Sequence, residues 1–120
     1  MLNLNFIDTI NVFSKEKEIL GYKCIYKEHA IFRDNNIIDT KIELKNHSPM
    51  GLSWGYNGSG SLQTALAVLC DFTKDNEFSL KYYINFKDDI ISQLPQNDCV
   101  IKYSDIQHWV NLRKLTNQLL

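Results

Sequence analysis

The segment before the most regular predicted helix carries the clearest chemical signal in the chain. It reads GYNGSG and occupies residues 55–60. Its glycines, Gly55, Gly58 and Gly60, allow positive φ angles and let a ligand approach the backbone closely. A helix that begins here leaves its first N–H groups unbonded and carries about half a positive charge at its start. Such a segment favours a phosphate or a carboxylate as its ligand.

Side chains in and beside this segment extend the prediction. Two aromatic rings can stack on a base or another ring, and two serine hydroxyls can donate hydrogen bonds. We therefore predict a recognition surface without catalytic chemistry, formed by Trp54, Tyr56, Asn57, Gly58, Ser59, Gly60 and Ser61. The alternative is a tight turn followed by a helix cap, with Trp54 as a core anchor. In that case Asn46, His47 and Ser48 fold over the loop and use its donors internally.

The segment matches no established phosphate-binding motif. No lysine follows Gly60 at the position that a Walker loop requires, and the GxGxxG pattern of dinucleotide-binding proteins is missing. A nucleotide-like ligand is therefore predicted from the chemistry of the loop alone, and no cofactor is predicted.

Catalysis and metal binding have weaker support. His47 and Ser48 are adjacent, whereas a serine nucleophile needs a base across a gap and an oxyanion hole. We expect Asn46, His47 and Ser48 to support the loop through hydrogen bonds. A small hydrolase that uses His47 and a nearby serine remains an alternative. No two histidines are spaced i, i+4, so no metal site is predicted. Asp88 and Asp89 are expected on a solvated helix face and not as an acid–base pair.

Composition bounds the class of protein. The 120 residues are 44% hydrophobic and carry a formal net charge of −1, so we expect one globular domain without the positive field that attracts nucleic acid. Residues 1–20 are expected to be an N-terminal extension and residues 21–120 the core.

Neither a signal sequence nor a long apolar run is present, which excludes a membrane span and favours the cytoplasm of a bacterial host cell. The three cysteines, Cys24, Cys70 and Cys99, are expected to be buried free thiols.

The pattern of apolar residues predicts an α+β fold, a small antiparallel sheet packed against two to three C-terminal helices. In the first half, a turn at Asp34-Asn35-Asn36 separates alternating segments. The segments predicted as strands are residues 22–26, 30–33, 37–38, 40–44 and 99–103. The segments predicted as helices are residues 61–73, with Ser59 or Ser61 as the cap, residues 77–94, and a third helix that Ser104 caps and that buries Ile106, Trp109, Val110 and Leu112. Residues 1–20 are predicted as an extended lead followed by a helical turn, and residues 45–60 as irregular.

A longer pattern resembles a known family. Asn46-His47-Ser48-Pro49, the residues from Gly51 to Gly60, and Gln63 before Ala65-Leu66-Ala67 follow the pattern NHSPxGxxWGYxGSGxxQxALA. This pattern is similar to that of an uncharacterised family of small proteins of bacteria, plasmids and phages, known only as a domain of unknown function. The resemblance covers residues 22–109. Ser61 departs from it, where the family often carries proline, and so does Asn57, where glycine is common. The resemblance implies a mobile-element setting and no known reaction.

The function predicted from the sequence is a non-enzymatic binding protein of a phage or mobile element. Lysine outnumbers arginine 11 to 2, and isoleucine and asparagine number 13 and 12, as an AT-rich gene would encode. The protein would hold a nucleotide-like molecule or a host protein, with counter-defence as its role. The alternatives are the hydrolase named above and a structural or assembly protein. Self-association is left open.

Overall fold

The computed structural model describes residues 20–119. The predicted lead and helical turn of residues 1–19 lie outside these residues. The described part of the chain separates into two compact units, residues 23–99 and residues 20–22 together with 100–119. The predicted α+β class is confirmed. The strands are β1 (Gly21–Ile25), β2 (Ala30–Arg33), β3 (Asn36–Ile37) and β4 (Cys99–Lys102), in the sheet order β3-β2-β1-β4. The helices are α1 (Ser59–Thr73), α2 (Asn76–Asp89) and α3 (Tyr103–Leu119), with 3-10 turns at Tyr26–Glu28 and Ile91–Gln93.

The first three strands form the meander that the sequence predicted. β1 pairs antiparallel with β2, with Cys24 opposite Ile31, and β2 pairs antiparallel with β3. Asp34 and Asn35 make the turn with φ angles of 51° and 68°. Short polar side chains tolerate this left-handed region, so the predicted turn is confirmed.

The predicted strand at residues 40–44 is wrong. Its backbone closes into a turn, in which Leu44 N donates to Lys41 O at 3.0 Å and Lys41 has a φ of 62°. The Asp39 carboxylate accepts from Lys41 N at 2.8 Å and so offers the backbone a local partner. Local side-chain hydrogen bonds of this kind compete with a strand ladder. The alternation of Ile42 and Leu44 therefore does not report a strand.

Helix α1 is buried along most of its length, as its wide apolar stripe predicted. It begins at Ser59, two residues earlier than predicted. Its N-cap is Gly58, which has no side chain to cap with, so the predicted serine cap is wrong. The Ser61 hydroxyl instead donates to Tyr56 O at 2.5 Å and closes the loop in front of the helix.

Helix α2 packs against α1 and is shorter than predicted. Asp75 caps it by accepting from Phe78 N at 3.0 Å. The predicted last turn is a separate 3-10 turn at Ile91–Gln93, and Pro95 follows soon after. The core of the 23–99 unit comes from β1, β2, the loop before α1, and both helices. Its largest fully buried apolar side chains are Trp54, Phe86, Ile31, Leu52, Leu66, Leu69, Ile91 and Val68.

In the second unit, Tyr22 packs edge-on against Tyr103 with ring centroids 5.1 Å apart. Helix α3 begins at Tyr103, so the predicted cap, Ser104, lies inside its first turn. Ile106, Trp109 and Val110 are buried as predicted, but Leu112 is half exposed. Leu112 lies six residues after Ile106, which turns it to the far side of the helix. No helix in residues 20–119 is long and apolar enough to cross a membrane.

Candidate functional site

The residues 54–60, here called the glycine loop, are fixed by hydrogen bonds to the segment after α2. The Trp54 indole donates from Nε1 to Asn97 O at 3.0 Å, and Gly55 N donates to Ile91 O at 3.1 Å. Gln96 Nε2 donates to Gly55 O at 3.1 Å. Trp54 is fully buried, which agrees with the core-anchor interpretation. Its ring is therefore enclosed and does not face a ligand, although the prediction placed it on the recognition surface.

The three glycines of the loop have different roles. Only Gly55 has a positive φ, of 85°, and a Cβ there would lie 2.7 Å from Leu94 O. Gly58 is extended, with a φ of −163°, and Gly60 is helical, so the predicted positive φ angles at these two positions are wrong. A Cβ on Gly58 would lie 2.7 Å from the Tyr56 ring, and one on Gly60 would collide with the Tyr56 hydroxyl. The group that approaches the bare backbone is thus the aromatic ring of the same loop.

Tyr56 is the aromatic residue of the loop that solvent reaches. Its ring covers Gly58 and Gly60, and 38% of the residue is exposed. One side of the ring is packed on the loop, and the exposed part adjoins the start of α1. A planar group can stack there.

The start of α1 keeps unbonded donors. The N–H groups of Ser59, Gly60 and Ser61 donate to no group in the described residues, and the first N–H of the helix with a partner is that of Leu62, which donates to Gly58 O at 3.0 Å. The Ser59 side chain is exposed, whereas Gly60 and Ser61 are buried. The first turn carries no acidic residue to offset the helix dipole. The positive end of α1 is therefore not neutralised by its own side chains.

A lysine from α2 reaches the same loop. Lys87 Nζ donates to Asn57 Oδ1 at 2.5 Å and lies 2.5 Å from Asp88 Oδ1. Only 8% of the Lys87 side chain is exposed, whereas Asp88 is mostly exposed, as predicted. Sequence reasoning missed Lys87, although one signal pointed to it. It lies four residues after Tyr83 and so falls on the buried face of α2.

The segment of Asn46, His47 and Ser48 is tied to α1 and not to the glycine loop. Gln63 Oε1 accepts from His47 N at 2.7 Å and from Ser48 N at 3.1 Å. The Gln63 amide then donates to Thr40 O at 2.6 Å. His47 is held by hydrogen bonds to Gln63 and Tyr83, whereas Asn46 is exposed. The alternative in which these residues use the donors of the loop finds no support in these contacts, because the backbone N–H groups of His47 and Ser48 donate to the buried Gln63.

His47 and Ser48 do not form a base–nucleophile pair. His47 Nε2 lies 2.6 Å from the Tyr83 hydroxyl, and the Ser48 hydroxyl donates to Gly51 O at 3.2 Å. Burial lowers the pKa of His47, and the positive charge of Lys45 lowers it further. Both effects favour the neutral imidazole, which is engaged with a tyrosine rather than with a serine.

A second polar side chain of α1 holds the strand-like segment before the loop. Thr64 Oγ1 accepts from Ser53 N at 2.9 Å and lies 2.6 Å from Ser53 O. Thr64 and Gln63 are both fully buried. Sequence reasoning gave neither residue a role, although Gln63 is part of the family-like pattern, because the apolar pattern of α1 does not distinguish a buried amide or hydroxyl from a solvated one.

Two clefts lie away from the glycine loop. One has a volume of about 500 Å³ and is lined by Asp39, Lys41, Cys70, Asp71, Lys74 and Asn76. The other, of about 540 Å³, is lined by Ile25, Tyr26, Lys27, Glu28, Asn97 and Asp98. Within residues 20–119, no three His, Cys, Asp or Glu side chains are placed to hold a metal ion together.

Taken together, the fold and the site define a small α+β protein whose glycine loop presents a helix start, an exposed tyrosine and a lysine. The chain belongs to the family of unknown function DUF6166, whose sequence profile matches residues 19–112. Comparison with curated proteins and with solved structures gives no significant match.

Proposed function

We propose that this chain is a non-enzymatic binding protein that holds an anionic, nucleotide-like ligand at the start of α1. A phosphate would accept hydrogen bonds from the N–H group and hydroxyl of the exposed Ser59, while the buried N–H groups of Gly60 and Ser61 add to the positive end of the helix. The ring of the ligand would stack on the exposed part of Tyr56. Lys87, whose ammonium is hydrogen-bonded to the Asn57 side chain, would supply positive charge close to the bound anion.

One observation carries this proposal. The first three N–H groups of α1 have no acceptor among the described residues, and a nearly buried ammonium is held at the same loop. Helix starts bind anions because the free N–H groups and the dipole act in the same direction. At the start of α2, by contrast, the Asp75 side chain supplies an acceptor for Phe78 N.

The hydrolase has less support. His47 is bonded to Tyr83, and Ser48 is bonded to the backbone of Gly51, so neither faces the other. General-base catalysis by His47 would need a hydroxyl within hydrogen-bond reach in place of the Tyr83 hydroxyl. We therefore propose binding without turnover.

The proposed setting is the cytoplasm of a bacterium that carries a phage or another mobile element, with counter-defence as the role. The high content of lysine, isoleucine and asparagine, which an AT-rich gene would encode, supports this setting. A protein that captures a nucleotide-like signal needs only affinity, which agrees with a site that has donors and no catalytic pair. A host protein as the main partner is the competing outcome.

A thermal-shift series tests the proposal. The probes are inorganic phosphate, mononucleotides, cyclic nucleotides and ADP-ribose. A probe at a hundred times its Kd should stabilise the fold by about 2.7 kcal/mol, which raises Tm by about 10 °C.

The decisive variant is Ser59→Asp, which puts a carboxylate at the first residue of α1. A carboxylate there suits the helix dipole, so the protein should fold as well as the parent while the bound anion is repelled. Asn76→Asp makes the same change at the first residue of α2 and is the matched control. The proposal predicts that the shift vanishes in Ser59→Asp and persists in Asn76→Asp. It fails if no probe shifts Tm, or if Ser59→Asp responds like the parent.

A further inference from the structure

Cys24 and Cys99 lie opposite each other on neighbouring strands, β1 and β4. The register follows from the hydrogen bond of 2.9 Å that Tyr103 N donates to Leu20 O. Cys24 is four residues after Leu20, and Cys99 is four residues before Tyr103. Facing residues of antiparallel strands have Cα atoms about 4.5–5.5 Å apart. A disulfide spans Cα separations of about 4.4–6.8 Å, so the two strands place these cysteines within bonding range.

The two sulfur atoms already interact. The Cys24 thiol donates a hydrogen bond to the Cys99 sulfur, and this bond lowers the pKa of Cys99, although burial and the charge of Asp98 act in the opposite direction. Cys99 is half-buried, whereas Cys24 is fully buried. An incoming reagent therefore meets Cys99 first, with Cys24 directly behind it.

The third cysteine provides an internal reference. Cys70 lies in the buried stretch of α1 with 2% of its surface exposed, and burial raises its pKa. Thiols react as thiolates, so a buried thiol with a raised pKa is slow.

Residues next to the two cysteines in the chain line a cleft, although neither cysteine is part of its lining. Its volume is about 540 Å³, and its lining includes Ile25 and Tyr26, which follow Cys24, and Asn97 and Asp98, which precede Cys99. Tyr26 N donates to Asp98 Oδ1 at 2.8 Å and joins the two sides of the cleft. The volume lies in the range of clefts that bind small molecules.

We propose that Cys99 and Cys24 form a reversible redox-modification site whose co-reactant is a low-molecular-weight disulfide. The Cys99 thiolate attacks one sulfur of the reagent, forms a mixed disulfide and releases one small thiolate. The Cys24 sulfur, having lost its proton, then attacks Cys99 and releases the second small thiolate. The two protein thiols lose two electrons and two protons, and the reagent leaves as two thiols.

The resulting bond would join the two ends of the unit that contains the glycine loop. That unit is residues 23–99, so Cys24 and Cys99 are its second and last residues. Tyr26 packs edge-on against Trp54 at 5.3 Å, and Asn97 O accepts from the Trp54 indole. The residues that flank the pair therefore contact the buried anchor of the loop. The redox site stands whether or not the loop binds an anion.

The test uses the fully reduced full-length chain and oxidised glutathione. After the reaction, free thiols are blocked and the unreduced digest is read by mass spectrometry. The expected product is a Cys24–Cys99 cross-link that forms at least about ten times faster than any change at Cys70 and that dithiothreitol reverses.

Three variants identify the order of the steps. Cys24→Ser should stop at a glutathione adduct on Cys99, and Cys99→Ser should leave Cys24 unmodified. Cys70→Ser should behave like the parent. The proposal is overturned if the parent keeps a stable adduct on Cys99 without a cross-link, if Cys70 reacts first, or if none of the three thiols reacts. The digest of the parent decides these outcomes even where a variant fails to fold.

Discussion

Lys87 Nζ lies 2.5 Å from Asn57 Oδ1 and brings the side chain of α2 to a loop 30 residues earlier in the chain. The contact places a nearly buried positive charge beside the glycine loop. The Asn57 side-chain oxygen is therefore occupied by the hydrogen bond from the Lys87 ammonium and does not accept one from a ligand. The exposed Asp88 carboxylate balances part of the charge from the solvent side.

Replacing Lys87 by methionine should separate binding from folding. Methionine keeps most of the buried stem and removes the charge, so the free energy of unfolding should change by less than about 1 kcal/mol. The affinity for an anionic ligand should fall about tenfold or more, since a charge-assisted contact is lost. Urea unfolding and titration calorimetry measure the two quantities. Lys81→Met, on the exposed face of the same helix, is the control, and equal losses of affinity in both variants would rule out a special role for Lys87.

The packing of Tyr56 on Gly60 predicts that the effect of one substitution depends on the background. Alanine in place of glycine normally stabilises a helix by about 0.5–1 kcal/mol. Gly60→Ala should instead destabilise the parent, because the new Cβ collides with the Tyr56 hydroxyl. In a Tyr56→Ala background, the same change should destabilise less, because of the two close contacts only that with Ser53 Cβ, at 2.9 Å, remains. A double-mutant cycle by urea unfolding measures the coupling, and additive effects would show that the ring does not rest on Gly60.

This packing also explains why sequence reasoning misjudged the loop. Three glycines within six residues were interpreted as space for a ligand, and the space at Gly58 and Gly60 is taken by Tyr56. The spacing of glycines reports that something lies close to the backbone, but it does not report what. By contrast, the turn at Asp34 and Asn35 was predictable, because its φ angles depend on the local residues alone.

Gln63 should be the most sensitive polar residue of the fold. Its buried amide accepts from two backbone N–H groups and donates to Thr40 O. Gln63→Leu would leave these buried groups without partners and should lower the free energy of unfolding by about 3 kcal/mol. Gln107→Leu, on the exposed surface of α3, should change it by less than about 0.5 kcal/mol. Urea unfolding distinguishes the two, and a small effect at Gln63 would contradict the anchoring role.

The lowered pKa of His47 predicts how stability depends on pH. A histidine has an ordinary pKa near 6.5, so at slightly acidic pH the unfolded chain binds a proton that folded His47 does not. The contribution of His47 to the free energy of unfolding is therefore complete above about pH 6.5 and is lost as the pH falls through the pKa of the folded state. The free energy of unfolding falls by at most about 1.4 kcal/mol per pH unit from this group. His47→Gln should flatten the decline in unfolding free energy between about pH 7 and pH 5. His108→Gln, on the exposed side of α3, is the control, and an unchanged slope in His47→Gln would contradict the assignment.

The contacts that sequence reasoning missed are tertiary. Gln63 and Lys87 each lie on a helix whose apolar stripe was predicted correctly, yet their partners are in distant loops. The failed strand at residues 40–44 has a local cause, since Asp39 binds the backbone of Lys41. The periodicity of a sequence thus located the helices, while the polar contacts that shape the site depended on which segments the fold brought together.

The most direct test of the proposed function is an amide NMR titration of the labelled chain with the anionic ligand that raises Tm most. The amide signals of Ser59, Gly60 and Ser61 should move together and saturate with one dissociation constant, because the Ser59 N–H would gain an acceptor and the two buried N–H groups next to it would sense the charge of the anion. The same three signals should stay in place in Ser59→Asp and should move less in Lys87→Met at matched ligand concentration. Saturable shifts confined to another surface, such as the cleft that Lys41 and Lys74 line, would contradict the account, as would a titration in which these three signals do not move.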